Sequence, residues 1–359
     1  MAYEIDFVGS TTPKKDYDAT CFRYTSNGRF VNCVFDGGTA DAGDDLVNHI
    51  KKYYFKNGGN TIDYVFCSHA DLDHASGLSK IFENFNVQNL VVNRPWDYLD
   101  ELYDRVKDDR ITRESLEKRL REKYPFVDAL EKLATEKGCN IIRGVRGAAL
   151  TAEMTIMSPT KEFYLNRLAE SVKTPDMVVS NESRGVFSEI VKKAVAWISA
   201  VWGKDNIKED VTTSAENEAS IVLHVRPDGH PPFLYTGDAG CLALKEAIKY
   251  GNVVKKPLSA CSFIQMPHHG GRHNVSPSIL DAILGNKVEK AERTIKTAFV
   301  SVCKDSDHPK RCVVNAFINR GCAVFVCRGN TIWHHSKDAP YRGWGDATPE
   351  GFSSQVEDW

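Results

Sequence analysis

The sequence contains no long apolar run and no N-terminal export signal. No stretch approaches the roughly 18–20 consecutive apolar residues that span a bilayer. The opening residues, MAYEIDFVGS, lack the basic and then apolar regions of a signal peptide. These absences argue against membrane insertion and secretion, and we expect a cytoplasmic protein. The 42% of apolar residues nevertheless suffices for a substantial core.

Paired cysteines, excess charge and two common catalytic motifs are also missing. The ten cysteines form no CxxC pair and most lie in apolar runs, which predicts buried, reduced thiols. A formal net charge of −2 provides no general attraction for nucleic acid, so any such binding site must be local. The absence of a GxSxG motif and of a Walker phosphate loop argues against a serine hydrolase and a P-loop nucleoside triphosphatase.

Apolar runs that alternate with helical patterns predict a layered α/β architecture. Residues 30–38 indicate a strand that ends in a glycine turn, 44–54 an amphipathic helix, and 62–67 the next strand. A second helix from Ala75 leads into a strand at 88–93. Further strands are predicted at 153–159, 220–225, 232–238, 263–267, 297–302, 322–327 and 331–335, with helices at 242–250, 277–284 and 309–319.

Two mostly helical stretches, at about 96–137 and 161–210, interrupt this pattern as insertions. The first is highly charged, with a predicted break at Pro125. The second contains an apolar face formed by Phe187, Ile190, Val191, Ala194, Ile198 and Val201. Such a face can bind a protein partner, although packing back onto the sheet is the commoner use.

Four side chains that can bind metal ions occupy six consecutive positions, namely His69, Asp71, Asp73 and His74. The first two would lie on the loop that leaves the predicted strand at 62–67. The last two would begin the following helix, so the two pairs can face two neighbouring ions. The alternative is that both aspartates only cap the helix and both histidines lie on the surface.

Three polar residues or pairs further along the chain adjoin predicted strands or helices. Asp238 ends a strand, where its carboxylate can bridge two cations, and an ordinary turn aspartate is the alternative. The adjacent His268 and His269 cannot point the same way, so one can bind metal while the other faces substrate. His308 precedes a predicted helix and is either a site residue or an exposed loop residue.

The HxDxDH pattern at 69–74 resembles the HxHxDH signature of the metallo-β-lactamase superfamily, with Asp71 in place of the second histidine. This variant looks like the ComEC-type competence proteins, whose hydrolase domain is associated with DNA uptake. Further motifs of that branch are matched in order by Asp36-Gly37-Gly38, Met157-Ser158-Pro159, Asn217-Glu218-Ala219-Ser220, Thr236-Gly237-Asp238, His268-His269-Gly270 and Asp307-His308-Pro309. The resemblance implies a four-layer αββα fold with helical insertions, as one domain over 1–335 followed by a loosely packed tail over 336–359.

The resemblance also implies two metal sites that share one aspartate. The first would be formed by His69, Asp71, Asp238 and water, and the second by Asp73, His74, Asp238 and His269. No histidine lies between His74 and His224, so the third histidine that many members place at the first metal has no match. An oxygen-rich first site favours manganese or magnesium, and zinc is a further candidate.

Catalytic roles follow from the same resemblance. His268 is the expected substrate-side residue, and His308 is expected to bind phosphate or to protonate the leaving group. Asp73 completes the predicted catalytic set. Asn217 and Ser220 either contribute polar contacts or are turn residues before the next strand.

Two neighbouring cations would lower the pKa of a bridging water and stabilise the attacking and leaving oxygens of an in-line displacement. The leading hypothesis is a dinuclear metal-dependent phosphodiesterase or nuclease that uses a metal-bridging hydroxide on DNA or a nucleotide. One alternative is hydrolysis of a lactam, lactone or thioester carbonyl. Another is an interaction module whose helical insertions bind a partner. The oligomeric state does not follow from the sequence.

Basic and aromatic residues near these motifs suggest contacts with a nucleic acid. Arg272, Lys304, Lys310 and Arg311 are close in sequence to the HHG and DHP motifs and can line a groove for a polyanion. Trp96 and Trp333 can stack on bases. The alternatives are solvated surface cations and tryptophans that fill the core.

Overall fold

Two β-sheets pack against each other, and helices cover the outer face of each sheet. The computed structural model describes residues 1–178, 196–290, 292 and 296–358. The strands are β1 (Tyr3–Phe7), β2 (Ala19–Ser26), β3 (Arg29–Gly37), β4 (Thr61–Phe66), β5 (Asn86–Val92), β6 (Asn140–Arg143), β7 (Met154–Ser158), β8 (Trp197–Ser199), β9 (Val222–Val225), β10 (Phe233–Tyr235), β11 (Phe263–Gln265), β12 (Thr297–Val302), β13 (Ala323–Arg328), β14 (Ile332–His335) and β15 (Gln355–Glu357). The helices are α1 (Ala40–Tyr53), α2 (Leu72–Ala75), α3 (Leu78–Asn84), α4 (Leu99–Tyr103), α5 (Arg113–Lys123), α6 (Pro125–Glu136), α7 (Lys161–Glu170), α8 (Ala215–Glu218), α9 (Cys241–Val253), α10 (Pro277–Leu284) and α11 (Arg311–Ile318).

Both sheets combine parallel and antiparallel strands. The first has seven strands in the order β14-β1-β2-β3-β4-β5-β6, and the second has six in the order β13-β12-β11-β10-β9-β7. Strands β3 to β6 run parallel, as do β10 to β13. Every crossover between these parallel neighbours contains a helix, as the geometry of parallel pairing requires. The described residues therefore confirm the α/β class and the αββα layering.

The core lies on both faces of each sheet. In β3, Cys33 and Phe35 belong to the cluster between the sheets, whereas Val34 packs with the helices of the first layer. Alternate side chains of a strand point to opposite faces, so a strand that is buried on both sides becomes a continuous apolar run. Phe35 and Tyr235 stack across the sheets with their ring centroids 4.7 Å apart. These contacts fix the two sheets relative to each other.

One edge of this sandwich gathers the loops that carry the predicted motifs. The parallel strands β3 and β4 end there in the first sheet, and β10, β11 and β12 end there in the second. Strand β2 begins at the same edge, because it runs antiparallel to β3 and pairs Ala19 with Gly37. Loops distant in sequence therefore meet at one place.

The predicted elements agree with the structure in most of the described residues. The break at Pro125 is the boundary between α5 and α6. The helix predicted from Ala75 is divided into α2 and α3 at Gly77. A Cβ at Gly77 would lie 2.1 Å from the carbonyl oxygen of Gly37, so this turn approaches β3 more closely than any other residue would allow.

Two predictions about the second half of the chain hold only in part. The helical insertion at 161–210 contains α7, but Trp197–Ser199 forms β8, which pairs with β15 near the C-terminus. Most of 337–354 is exposed and without helix or strand, as predicted for a tail, but Val356 is fully buried and Arg342 forms ion pairs with the buried Glu4 and Asp6. Both differences arise because pairing over long sequence distances leaves no local pattern. Phe187, Ile190, Val191 and Ala194 of the predicted apolar face lie outside the described residues.

Two expectations from composition can be compared with the structure. All ten cysteines are free and buried, as predicted. Within the described residues, no helix combines the length and the apolar character needed to cross a membrane.

Candidate metal centre

Loops from both sheets bring the six predicted metal ligands together. His69 and Asp71 follow β4, Asp73 and His74 lie on α2, Asp238 follows β10, and His269 follows β11. His69 Nε2 lies 3.7 Å from Asp71 Oδ2 and 3.8 Å from Asp238 Oδ2. His74 Nε2 lies 3.2 Å from the other oxygen of Asp238, Oδ1. The carboxylate of Asp238 thus presents one oxygen to each of two neighbouring histidines, whose ring centroids lie 4.2 Å apart.

The second group of side chains extends from His74 to His269. Asp73 Oδ2 lies 4.0 Å from His74 Nε2 and 3.5 Å from His269 Nε2. Among the described residues, one set of four groups that can hold an ion is Asp18, His74, Asp238 and His269, whose ligand atoms lie within 4.8 Å of one another. The structure therefore places Asp238 next to two clusters, as a bridging carboxylate requires.

Asp18 is a site residue that the sequence did not reveal. It immediately precedes β2, is almost completely buried, and accepts a hydrogen bond from Gln265 Nε2 at 3.1 Å. Its Oδ2 lies 3.9 Å from His74 Nδ1. No recognisable motif surrounds it. The pairing of β2 with β3 would have been the available signal, because it places the start of β2 beside Asp36.

Atoms suited to metal binding are left without well-oriented hydrogen bonds in this centre. The Nε2 atoms of His69, His74 and His269, together with Oδ1 of Asp238, are buried and make no well-oriented hydrogen bond, although His74 Nε2 and Asp238 Oδ1 are 3.2 Å apart. Leaving such atoms unpaired is costly unless something else satisfies them. Imidazole nitrogens and carboxylate oxygens are the usual ligands of divalent ions. The residues present therefore fit the predicted metal ions.

Each of these histidines is held by a hydrogen bond from its other ring nitrogen. His74 Nδ1 donates to Asp36 Oδ2 at 2.9 Å, and His269 Nδ1 donates to the carbonyl oxygen of Ser301 at 3.0 Å. His69 Nδ1 donates at 3.0 Å to the Oγ of Ser68, which in turn donates to Asp36 at 2.6 Å. Such partners fix the tautomer in which Nε2 carries its lone pair towards a metal.

The charges in the centre are strongly coupled. Burial opposes ionisation of Asp238, but the nearby His74 and His268 hold its pKa well below the usual range. Burial also favours neutral His74, yet Asp238 and Asp36 raise its pKa well above the usual value. Burial raises the pKa of Asp18 to about 6, where the charges of Asp238 and Asp36 act in the same direction. The site thus concentrates negative charge that cations would compensate.

Close packing supports the loop that carries Asp238. Gln265 Oε1 accepts hydrogen bonds from the backbone N–H groups of Thr236 and Gly237, both at 2.9 Å, while its Nε2 binds Asp18. Gly237 has a positive φ of 50°, and a Cβ there would lie 2.8 Å from the side chain of Ser68. Only glycine suits both conditions.

Two further histidines lie on the more open side of the centre. His268 Nε2 is 3.6 Å from Asp238 Oδ2, and its Nδ1 donates to Asn274 Oδ1 at 2.7 Å. His308 Nδ1 donates at 2.9 Å to Asp16 Oδ2, a partner that sequence reasoning also missed. Burial disfavours the ionised form of Asp16, but the hydrogen bond from His308 helps to lower the pKa of this carboxyl group. The rings of His268 and His308 are 6.4 Å apart.

Lys173 brings a cation to the rim of the centre. Its Nζ donates to Asp71 Oδ1 at 2.7 Å, while Asp71 Oδ2 faces His69. The side chain of Lys173 is 29% exposed, so it can also reach a solvent-borne group. Asp71 is therefore shared between the cluster and an ammonium group.

Several other residues that the sequence analysis considered for substrate contacts lie away from this centre or already contact other side chains. Asn217 Nδ2 donates to Thr213 within its own turn, as the turn alternative requires. Ser220 is buried beside the loop of Gly237. Trp96 donates to Glu131 below the guanidinium of Arg121, and Trp333 is stacked between His335 and Arg342. The expectation that these tryptophans stack on bases is wrong, because their faces are already covered.

Four of the predicted metal ligands, His69, Asp71, Asp73 and His74, lie in a sequence segment that matches a known family. Residues 20–141, from β2 into β6, match the family model described as Lactamase_B, the metallo-beta-lactamase superfamily. This segment is therefore similar to the metallo-β-lactamase superfamily. The matched residues include the HxDxDH motif and amount to about a third of the chain. No curated protein matches the sequence.

Three solved structures are similar to this chain at low sequence identity. Igni18, described as a novel metallo hydrolase of the archaeon Ignicoccus hospitalis, is 12% identical with a TM-score of 0.40, over 93% of this chain and 99% of its own. An N-acyl homoserine lactone hydrolase is 12% identical with a TM-score of 0.30, over 71% and 88%. MEM-A1, a subclass B3 metallo-beta-lactamase from a soil metagenome library, is 13% identical with a TM-score of 0.29, over 78% and 85%.

Asp36→Asn should weaken binding of Mn²⁺ by about 10- to 100-fold, since it alters the acceptor that orients His74. Asparagine tolerates the positive φ of 61° at this position. Isothermal titration calorimetry measures the affinity. The matched control is Asp63→Asn, which changes a buried carboxylate of β4 that is paired with Arg29 outside the centre. Equal affinities for the two variants would contradict the orienting role of Asp36.

Proposed function

We propose that this protein is a dinuclear metal-dependent phosphodiesterase. The position of Asp238 carries the proposal, because one of its oxygens faces His69 and the other faces His74. His69, Asp71 and Asp238 would hold one ion. The second ion would be held by Asp73, His74, Asp238 and His269, with Asp18 as an additional candidate ligand. Manganese or zinc, with magnesium as a third candidate, suits this mixture of carboxylates and imidazoles.

When bound, two such ions would activate a water molecule and stabilise negative charge on both the attacking and the leaving oxygen. The chain's own residues supply the rest of the chemistry. His268 is oriented by Asn274 and is 35% exposed in its side chain, so its Nε2 can donate to a phosphoryl oxygen. Asp73 Oδ2 and His269 Nε2 lie 3.5 Å apart, so both would ligate the same ion.

His308 is suited to protonate the leaving group. Asp16 accepts a hydrogen bond from Nδ1, and the same carboxylate accepts bonds from Ser306 Oγ at 2.7 Å and from the backbone N–H of Cys303 at 2.9 Å. The fixed carboxylate orients the ring. The remaining ring nitrogen, Nε2, is then free to give a proton to an oxygen of the substrate.

The surroundings of the centre favour a phosphodiester over a carbonyl substrate. Three cationic or hydrogen-bonding side chains surround the centre: Lys173 beside Asp71, His268 beside Asp238, and His308 on the loop after β12. Together they can stabilise a transition state that carries negative charge on several phosphoryl oxygens. An acyl substrate develops charge mainly on one oxygen and needs fewer such groups. This supports the phosphodiester proposal over a lactam, lactone or thioester.

Finer assignments rest on the same proposal. The substrate would be DNA or a nucleotide, and the ComEC-type branch is the one that the HxDxDH variant favours. A single catalytic domain over 1–335, a protein partner for the helical insertions and a cytoplasmic location stay predictions.

The test is a substrate panel with the Mn²⁺-loaded and the Zn²⁺-loaded protein. We expect hydrolysis of bis(p-nitrophenyl) phosphate and at least a 100-fold lower kcat/KM for a chromogenic lactam and a lactone, a difference of about 2.7 kcal/mol in transition-state stabilisation. Asp238→Ala should abolish turnover. The control Asp228→Ala should not, because Asp228 lies in the loop between β9 and β10 and lines a pocket that contains no site residue. Hydrolysis of the lactam or the lactone alone would overturn the phosphodiesterase proposal.

A second prediction concerns the leaving group. His308→Ala should lower kcat for thymidylyl-thymidine by about 10²- to 10⁴-fold, since an alkoxide needs a proton. It should slow bis(p-nitrophenyl) phosphate far less, because p-nitrophenolate leaves without one. Metal content, measured by elemental analysis, should be retained. Asp305→Ala, an exposed change three residues away, is the control. Equal slowing of both substrates by His308→Ala would exclude proton transfer as its role.

A further inference from the structure

An open groove lies beside His308, on the side of the loop between β12 and α11. Its volume is about 340 Å³, and it is lined by His308, Lys310, Arg311, Arg328 and Trp197, with Asp307 and Glu357 at its sides. This volume lies within the range of about 300–1,000 Å³ found for small-molecule sites. We call it the His308 groove.

His308 connects the groove to the surroundings of the centre. Its ring lies 6.4 Å from the ring of His268, and His268 Nε2 lies 3.6 Å from Asp238 Oδ2. The groove therefore begins two side chains away from Asp238, within reach of an ester group of a substrate whose phosphate is at the centre.

Trp197 provides an aromatic surface at the outer end. It is the first residue of β8 and is 51% exposed, which is unusual for a tryptophan. The guanidinium of Arg311 lies 4.9 Å from the centre of its ring. A planar ligand can stack on such a tryptophan and arginine pair, as bases do in single-strand binding sites.

The groove also presents two arginines without a paired carboxylate. Among the described residues, neither Arg311 nor Arg328 has a carboxylate within ion-pair distance. Arg328 donates to the backbone carbonyl oxygens of Cys303, Lys304, Ser306 and His308, which fixes its guanidinium beside His308. The charge of both guanidinium groups can therefore attract an anion into the groove.

The acidic residues of the groove are already satisfied. Both carboxylate oxygens of Glu357 accept hydrogen bonds from the first backbone N–H groups of α11, those of Arg311 at 3.0 Å and Cys312 at 3.1 Å. Asp307 pairs with Lys310. The helix terminus and the lysine therefore offset these two carboxylates.

We propose that the His308 groove binds the nucleoside of a nucleoside phosphodiester, with the base stacked at Trp197 and the phosphate near Arg328. This inference rests on the proposed function and narrows its substrate to esters that carry a nucleoside on the leaving or the retained side. The wild-type protein then prefers thymidine 5′-(p-nitrophenyl phosphate) to bis(p-nitrophenyl) phosphate.

The experiment compares kcat/KM for these two esters in Mn²⁺-loaded variants. Trp197→Ala lowers the ratio of the nucleoside ester to the bis ester by about 5- to 150-fold, which is the loss of one base-stacking contact. Trp197→Phe restores most of the ratio. The matched control is Tyr341→Ala, which removes a 92% exposed aromatic outside the groove. An unchanged ratio in Trp197→Ala would overturn the groove proposal.

A binding measurement separates this proposal from the proposed function. Thymidine 5′-monophosphate and inorganic phosphate are titrated calorimetrically into wild-type protein, Trp197→Ala, Arg328→Ala and the distant control Arg110→Ala. The groove predicts tighter binding of the nucleotide than of phosphate, a preference that Trp197→Ala loses. Arg328→Ala weakens binding of both ligands, and Arg110→Ala changes neither. If neither ester is hydrolysed but this pattern holds, the phosphodiesterase proposal fails and the groove stands. Equal binding of nucleotide and phosphate by the wild-type protein would contradict the groove.

Discussion

The centre is governed by the cost of burying negative charge. Asp18, Asp36 and Asp238 are almost completely buried, and Asp73 and Asp71 are partly so, yet all five lie in one small region. A buried carboxylate is tolerated only when it is paired or bound to a cation. Asp36 is satisfied by Ser68 and His74. The others converge on three imidazole nitrogens that make no well-oriented hydrogen bond, and divalent ions would satisfy both sets at once.

The fold makes this convergence possible. Parallel strands of two different sheets end at one edge, so β4, β10 and β11 each contribute the residues that follow them. Glycines permit the loops to approach one another at Gly77 and Gly237. A site assembled from loops on a rigid sandwich can hold its side chains in fixed positions. The proposed phosphodiesterase chemistry depends on that fixed arrangement, since general acid and ligands must face the same phosphate.

Much of this could be predicted because the signals are local. The strands alternate with helices in apolar patterns, and His69 to His74 form one short motif at a strand end. Asp16, Asp18 and Trp197 were missed because their significance depends on partners far along the chain; the Asp16 and His308 pair spans 292 positions. The same reason explains why the pairing of β8 with β15 was mistaken for a helix and a loose tail. Resemblance to a family supplied the ligand roles, which no single residue reveals.

The account rests on a pair of metal ions held around Asp238. Crystals grown with Mn²⁺, measured at the manganese absorption edge, test this most directly. We predict two anomalous peaks about 3.5–4 Å apart, one beside His69 and Asp71 and the other beside Asp73, His74 and His269. No peak near Asp238, or a single peak that leaves the His69 side empty at saturating Mn²⁺, would contradict it.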